Sequence, residues 1–364
     1  MTSRSFSTGT YDLVARLQAA GLDVTRGPAG HDLSALGEAL GRAVGWIAGT
    51  GPITAEHLDR APRLRVLARY GVGVEAVDLA AAAARGVVVT NTPGANSDAV
   101  ADHALALLLA RVRDVSPGDR RVRMGDWSVR RGRELGSLTV GVLGFGRIGQ
   151  GVARRLAGFG TTVLAHDPFL DDERIRAAGA EPVTADDLPA RCDAVTLHAP
   201  GGHRVVDRRW LDRARAGLVL VNTARADLVD EDAVAAALRS GRLAGYAADT
   251  LAAEASGTAS HATDGRATGS QRGASASQRG ASASQRVASG ATAGHASDGR
   301  ATDSRATSPL LAADLADLVV ITPHTGAQTV EAVDRMGMAA TADLLAVLAG
   351  AAPRHPVTPH EEQT

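Results

Sequence analysis

The chain has 364 residues, enough for about two domains, and 45% of them are hydrophobic, enough for sizeable cores. Its formal net charge of −1 offers no overall electrostatic case for nucleic acid or an anionic membrane. All 39 basic residues are arginine, which excludes a Schiff-base lysine and a P-loop, and the single cysteine, Cys192, excludes an intrachain disulfide and a cysteine-cluster metal site. No apolar run reaches membrane-spanning length, and residues 1–7 are polar with no signal-peptide core, so a cytoplasmic protein is expected.

Residues 10–97 read as alternating helices and strands, which implies a parallel sheet. The pattern predicts a helix over 11–20 stopped by Gly21, a strand over 43–48, and a helix over 54–60 that Thr54 can cap. A strand over 65–68 runs into Arg69-Tyr70-Gly71-Val72-Gly73-Val74, followed by a short helix over 79–85 and a strand over 87–90. No phosphate-binding fingerprint occurs here, so this half reads as a partner to a cofactor domain. A turn over 91–98 leads, through Ser97 or Asp98 as cap, into a helix over 99–112 that is apolar over much of its surface. That helix should be buried and cross between domains. Residues 111–133 hold eight arginines with Trp127; with Asp114, Asp119, Asp126 and Glu134 beside them, a solvated face is favoured over an anion-binding patch.

Residues 138–149 organise the remainder. Positions 138–143 are apolar and partly β-branched, as in a buried strand. Gly144, Gly146 and Gly149 then fit G-x-G-x-x-G at the start of a helical pattern: the first glycine allows a tight turn, the second admits a pyrophosphate, and the third lets helix and strand pack closely. The next strand, over 162–166, ends at Asp167, where a carboxylate suits the ribose hydroxyls of NAD and repels the 2′-phosphate of NADP. Further strands are expected at 193–197, 218–222, 244–248 and 318–322, with a helix over 230–239 that Asp230 can cap; six strands match a doubly wound dinucleotide domain. Residues 255–307 are low-complexity repeats of Ala, Ser, Gly, Thr and Arg with almost no large apolar side chain, and read as a disordered insertion in a surface loop.

Asn222-Thr223-Ala224-Arg225 closes one strand, Glu254 follows, and Thr322-Pro323-His324-Thr325-Gly326-Ala327 closes another. Arginine can hold a carboxylate bidentately and polarise the adjacent carbonyl, histidine can exchange a proton with its oxygen, and a carboxylate can support the imidazolium. Spacing alone leaves a second reading open, with Arg225 paired to Asp227 or Asp230 and His324 a turn residue.

Over about residues 60–254 and 308–350 the chain resembles the D-isomer-specific 2-hydroxyacid dehydrogenases, in particular phosphoglycerate dehydrogenase-like members without a C-terminal regulatory domain. The resemblance rests on the residue 69–74 loop, Thr90-Asn91-Thr92-Pro93-Gly94-Ala95-Asn96, Gly144-Phe145-Gly146-Arg147-Ile148-Gly149, Leu197-His198-Ala199-Pro200, Asn222-Thr223-Ala224-Arg225 and the His324 motif. It implies a Rossmann-type NAD domain, residues 98–326, inserted in a flavodoxin-like substrate domain, residues 1–97 and 327–364, with a cleft between them and a homodimer formed through the cofactor domain. It implies that Arg225, Glu254 and His324 are catalytic. NAD would meet Gly144, Gly146, Arg147, Ile148, Gly149, Asp167, His198, Thr223 and Asp249. The backbone of Gly71, Val72 and Gly73 would receive a substrate carboxylate, and Arg69 beside it would meet an additional anionic group or lie as a surface arginine. No metal is expected. The expected activity is hydride transfer between NAD(H) and a 2-oxo or 2-hydroxy acid, such as phosphoglycerate, hydroxypyruvate, glyoxylate or a phosphonate analogue; the alternative is a dehydrogenase-shaped regulator that senses NAD(H). Three stretches depart from the family pattern: residues 248–255 lack the usual Leu-Asp-Val-Phe and Glu-Pro, Ala226-Asp227 stand where glycines are usual, and Gly201-Gly202-His203-Arg204 replaces the usual Thr-Pro-Glu-Thr.

Overall fold

The structure, a computed structural model, describes residues 1–254 and 308–358, with the side chain of Glu254 left out. The insertion expected over 255–307 lies outside the described residues. Ten strands are described: β1 Gly45–Ala48, β2 Val66–Arg69, β3 Val88–Thr90, β4 Thr139–Leu143, β5 Thr162–His166, β6 Glu181–Pro182, β7 Ala194–Leu197, β8 Leu218–Asn222, β9 Leu243–Ala248 and β10 Val319–Ile321. The elements expected from sequence recur within two residues at each end.

The first sheet has the order β1-β2-β3, all parallel. Two further stretches extend it by backbone hydrogen bonds, Thr2 N–H to Ile47 O at 3.0 Å and Gly27 N–H to Met1 O at 2.9 Å. Counted with them, the five stretches follow the flavodoxin-like order 2-1-3-4-5. Side chains alternate across the sheet as the strand period of two requires. Trp46, Ala48, Leu67 and Val89 face one apolar cluster, while Ile47, Val66 and Ala68 face another, filled by Leu13, Leu17, Met336, Ala340 and Leu344. Met336, Ala340 and Leu344 belong to the helix Val330–Leu348, so the end of the chain packs on the sheet made by its start. A helix over Leu33–Arg42 was not anticipated. Gly37 and Gly41 weaken its local propensity, and burial of Leu36 and Leu40 outweighs that.

The second sheet is parallel throughout, in the order β10-β9-β8-β7-β4-β5-β6. It has seven strands rather than six. The extra strand, β6, has two residues and includes Pro182, which an edge position tolerates because no partner needs its missing N–H. Renumbered from β4, the order is 3-2-1-4-5-6-7, so the direction of winding reverses between β4 and β7. That crevice, outside the C-terminal strand ends, is where ligands of such sheets bind. The helix Ser97–Val112 is buried against β8 and β9 and against the helix Arg147–Ala157; a Cβ on Gly151 would lie 3.1 Å from that of Ala101. Its cap is Asn96, not Ser97 or Asp98, which both lie in the first turn.

The arginine-rich stretch is a paired face. Arg121 pairs with Asp114, Arg123 with Asp119 at 2.8 Å, Arg120 and Arg130 with Asp317, and Arg133 with Asp193 at 2.8 Å.

Candidate active site

The fingerprint glycines serve three separate needs. Gly144 has φ 87°, and a Cβ there would meet the backbone of His198 and Ala199 at 2.5 Å. At Gly149 a Cβ would collide with Gly144 O, whereas around Gly146 nothing lies within 4 Å, so that face is open to a ligand. Gly146 caps the helix Arg147–Ala157 with no side-chain bond, so no side chain competes with an anion for its first N–H groups. Asp167, at the end of β5, stands against this loop, accepting from Phe145 N–H at 2.7 Å and Phe169 N–H at 2.9 Å. Arg147 is exposed and passes over Gly94, and Ile148 is half-buried.

Across the switch point, His198 N–H donates to Leu143 O at 2.7 Å, and Nε2 lies 2.9 Å from Thr196 Oγ1. Burial pushes its imidazole down to about 3, so it is neutral at physiological pH. His198 Nδ1 and Thr223 Oγ1 are buried with no hydrogen-bond partner among the described residues. Such orphaned groups at the mouths of β7 and β8 suit a polar cofactor that would complete them.

In the first sheet, Gly71 has φ 145° and its carbonyl accepts from Thr92 N–H at 2.9 Å. Asn91 Nδ2 donates to Val72 O at 2.9 Å. Arg69 is 5% exposed and donates from Nε to Gly73 O at 3.0 Å and from Nη1 to Ala48 O at 2.9 Å. Burial lowers its pKa to about 10, which leaves it cationic at neutral pH. It is not a surface arginine: it holds the residue 71–73 loop from behind.

Arg225 follows β8. Asn222 fixes its turn, with Nδ2 donating to Arg225 O at 2.8 Å and Oδ1 accepting from Ala224 N–H at 3.0 Å. Its guanidinium pairs with neither Asp227 nor Asp230. Asp227 accepts from Gly202 N–H at 2.7 Å, and Asp230 caps the helix Glu231–Arg239 and pairs with Arg204. Arg225 instead reaches Glu75, just past the residue 71–73 loop, with Nε and Nη2 at 3.1 and 3.0 Å from Glu75 Oε1, while Nη1 donates to Ala224 O at 3.0 Å. Sequence reasoning missed Glu75, although it directly follows the glycine loop at Val74.

Asp249 is 3% exposed and organises the turn that carries His324. Oδ1 accepts from Thr322 Oγ1 at 2.5 Å and Thr325 N–H at 2.8 Å, and Oδ2 from Gly326 N–H at 2.7 Å. His103 Nε2 lies 3.2 Å from Oδ1, a partner the sequence did not suggest. Burial would raise the carboxyl pKa, but the hydrogen bonds from His103, Thr322, Thr325 and Gly326 outweigh it and hold the group below its usual value. Both oxygens are bonded to the His324 turn, so Asp249 supports that turn. His324 is exposed, in the left-handed region with φ 53°, and its N–H donates to Asp249 O at 3.0 Å. Asp249 N–H in turn donates to Asn222 O at 3.0 Å, so the turns of Arg225, Asp249 and His324 lie side by side at one sheet edge. Glu254 ends a short 3-10 turn, Ala252–Glu254, anchored by Ala252 N–H to Glu231 Oε1 at 2.7 Å. Its side chain lies outside the described residues, so its pairing with His324 stays an expectation. Among the described residues, no cluster of His, Cys, Asp or Glu could hold a metal, and no helix is long and apolar enough to cross a membrane.

The model of the NAD binding domain of the D-isomer specific 2-hydroxyacid dehydrogenases matches residues 105–326. The chain is 37% identical over 303 residues to the D-3-phosphoglycerate dehydrogenase of Mycobacterium leprae, covering 82% of this chain and 48% of that one. It thus spans about half the length of the curated relatives it matches first. Among solved structures it is similar to the TT0316 protein from Thermus thermophilus, with a TM-score of 0.74 and 33% identity over 96% of this chain and 97% of that one. It is also similar to D-lactate dehydrogenase from Aquifex aeolicus, solved with NAD and lactic acid, with a TM-score of 0.71 and 26% identity over 93% and 92%. The family match over the switch-point sheet and its glycine loop agrees with the geometry of the crevice, and the chain belongs to the D-isomer specific 2-hydroxyacid dehydrogenase family, with NAD as its cofactor.

Proposed function

We propose that the protein is a cytoplasmic NAD-dependent D-2-hydroxyacid dehydrogenase that interconverts a 2-oxo acid and its 2-hydroxy acid. The observation that carries this reading is the hydrogen-bonded alignment of the Arg225, Asp249 and His324 turns at the strand edge that also bears the glycine loop. Residues 98–326 form the cofactor domain, and residues 1–97 with 327–364 the substrate domain. Gly144, Gly146, Arg147, Ile148, Gly149 and Asp167 would hold NADH, with His198 and Thr223 completing the pocket, and the bound cofactor would supply a hydride for the carbonyl carbon. Arg225 binds the substrate carboxylate and polarises the neighbouring carbonyl. The backbone N–H groups of the residue 71–73 loop, which Arg69 holds in place, receive the same carboxylate. His324 donates its proton to the carbonyl oxygen, and Glu254 stabilises the imidazolium beforehand. In the oxidative direction His324 takes that proton back.

Val115, Val122, Met124, Trp127 and Val129 are exposed close together in sequence, which supports a homodimer formed through the cofactor domain. An NAD(H)-sensing regulator has less support, because the names of the relatives are those of dehydrogenases. Substrates to screen are hydroxypyruvate, glyoxylate, and phosphorylated and phosphonate 2-oxo acids. Oxidation of NADH by at least one of them is expected, with kcat lowered about a hundredfold or more in His324→Ala. No turnover with any 2-oxo acid, or a fully active His324→Ala, would refute the assignment.

A further inference from the structure

Arg225 is the group assigned to the substrate carboxylate, and a carboxylate already sits on it. Nε and the adjacent Nη2 form the side-on edge of the guanidinium, the edge a carboxylate grips with two parallel bonds. Both converge on Glu75 Oε1, at 3.1 and 3.0 Å, and Nη1 is bonded to Ala224 O. The pair lies directly over Gly73, where a side chain would collide with Arg225 Nη2 and Glu75 Oε2. Glu75 follows the loop after β2 and Arg225 follows β8, so the pair joins the edges of the two sheets. It is open to solvent, with the side chains of Arg225 and Glu75 38% and 52% exposed, so the contact is exchangeable.

We propose that Glu75 is a resident substrate competitor: its carboxylate occupies the place on Arg225 that a 2-oxo acid takes, and binding is an exchange of one carboxylate for the other. The inference rests on the dehydrogenase reading of Arg225. It follows that Glu75 sets substrate affinity. It keeps Arg225 aimed into the cleft while no substrate is bound, and it raises the concentration of 2-oxo acid needed to displace it. Small anions without a second attachment point are disfavoured, because they must remove Glu75 with one carboxylate alone.

The test is binding of oxamate, a 2-oxo acid isostere, to full-length protein saturated with NADH, followed by calorimetry in wild type, Glu75→Gln, Glu75→Asp and Glu75→Ala. Glu75→Gln and Glu75→Ala should bind oxamate about tenfold more tightly, with NADH affinity and melting temperature unchanged, and KM for the working 2-oxo acid should fall while kcat does not rise. Glu75→Asp keeps the charge but shortens the reach, so it should also tighten binding. Unchanged or weaker oxamate binding in Glu75→Gln would overturn the exchange, as would tightening in Gln with Asp identical to wild type, which would leave only a general field. If wild type reduces a 2-oxo acid and the variants leave KM unmoved, this inference fails and the dehydrogenase reading stands. If no protein of the series binds oxamate or reduces any 2-oxo acid, both fail together.

Discussion

Asp249→Asn separates two roles for a buried carboxylate. The family likeness points to NAD, whereas the structure commits both oxygens to the His324 turn, through Thr322, Thr325 and Gly326. An asparagine of the same shape has one acceptor where the carboxylate has two. With its oxygen toward Thr325, its NH2 faces the Gly326 N–H across 2.7 Å; flipped, it faces the Thr325 N–H across 2.8 Å. Either way one inward N–H loses its acceptor, at a cost of about 2 kcal/mol, within the range of roughly 1–3 kcal/mol for an unsatisfied buried donor. If that cost falls on the turn in its working geometry, it converts to about a thirtyfold loss in kcat at 1.4 kcal/mol per decade. The assay is steady-state reduction of the best 2-oxo acid, with NADH affinity from fluorescence titration and stability from thermal melting. Expected are a lower kcat, an unchanged Kd for NADH and a modest drop in melting temperature. A kcat within twofold of wild type, or a tenfold weaker NADH affinity with kcat intact, would refute the positioning role.

The first sheet carries a pH-sensitive chain: Trp46 Nε1–H donates to Thr2 Oγ1 at 2.9 Å, the Thr2 hydroxyl to His31 Nε2 at 2.6 Å, and His31 Nδ1–H to Pro52 O at 3.1 Å. Burial, the largest cause, lowers the His31 pKa from 6.5 to about 4, so the folded state binds fewer protons than the unfolded one, and the stability it contributes is present above pH 6.5 and lost as pH falls toward 4. The shift corresponds to about 3 kcal/mol, and urea melts of wild type should show it between pH 7 and 4 while His31→Gln should be flatter; equal slopes would refute the origin. In the glycine loop, Gly146→Ala should melt like wild type, since nothing lies within 4 Å, yet weaken NADH binding at least tenfold, whereas Gly144→Ala should lose both, because its Cβ meets backbone at 2.5 Å. Wild-type NADH affinity in Gly146→Ala would show that the cofactor does not approach there.

What was legible in the sequence follows from how each feature is encoded. Strands buried on both faces appear as short apolar runs, and the glycine spacing with Asp167 at the next strand end identifies the crevice. The helix Leu33–Arg42 was hidden by its glycines, and β6 by being two residues long. The functions of polar side chains were less legible. Arg69 reads either as a contact to an additional anionic group or as a surface arginine, because nothing in Ala68-Arg69-Tyr70 shows that its guanidinium turns inward to Ala48 and Gly73 carbonyls. For Asp249 the family likeness implies a cofactor contact, and its hold on the His324 turn was not legible because its partners Thr322, Thr325 and Gly326 are more than seventy positions away. Glu75 and His103 were missed for the same reason, each taking its role from a residue on another element.

Arg225 poses the question most sharply. It is followed within five positions by Asp227 and Asp230, and in a chain whose cations are all arginines, local Arg–Asp pairing is the ordinary outcome. The fold prevents it by satisfying both acids first. Asp227 receives the Gly202 N–H, and Asp230 receives the Ala233 N–H and Arg204. Asn222 holds the intervening turn from both ends. A charged donor whose near acceptors are engaged is left for a carboxylate that approaches from the cleft. In the described chain that carboxylate is Glu75, and in the proposed reaction it is the substrate. The residues that make Arg225 selective are therefore its sequence neighbours: the departure from glycine at Asp227 adds the acid that ties down the residue 201–202 loop without engaging Arg225 itself.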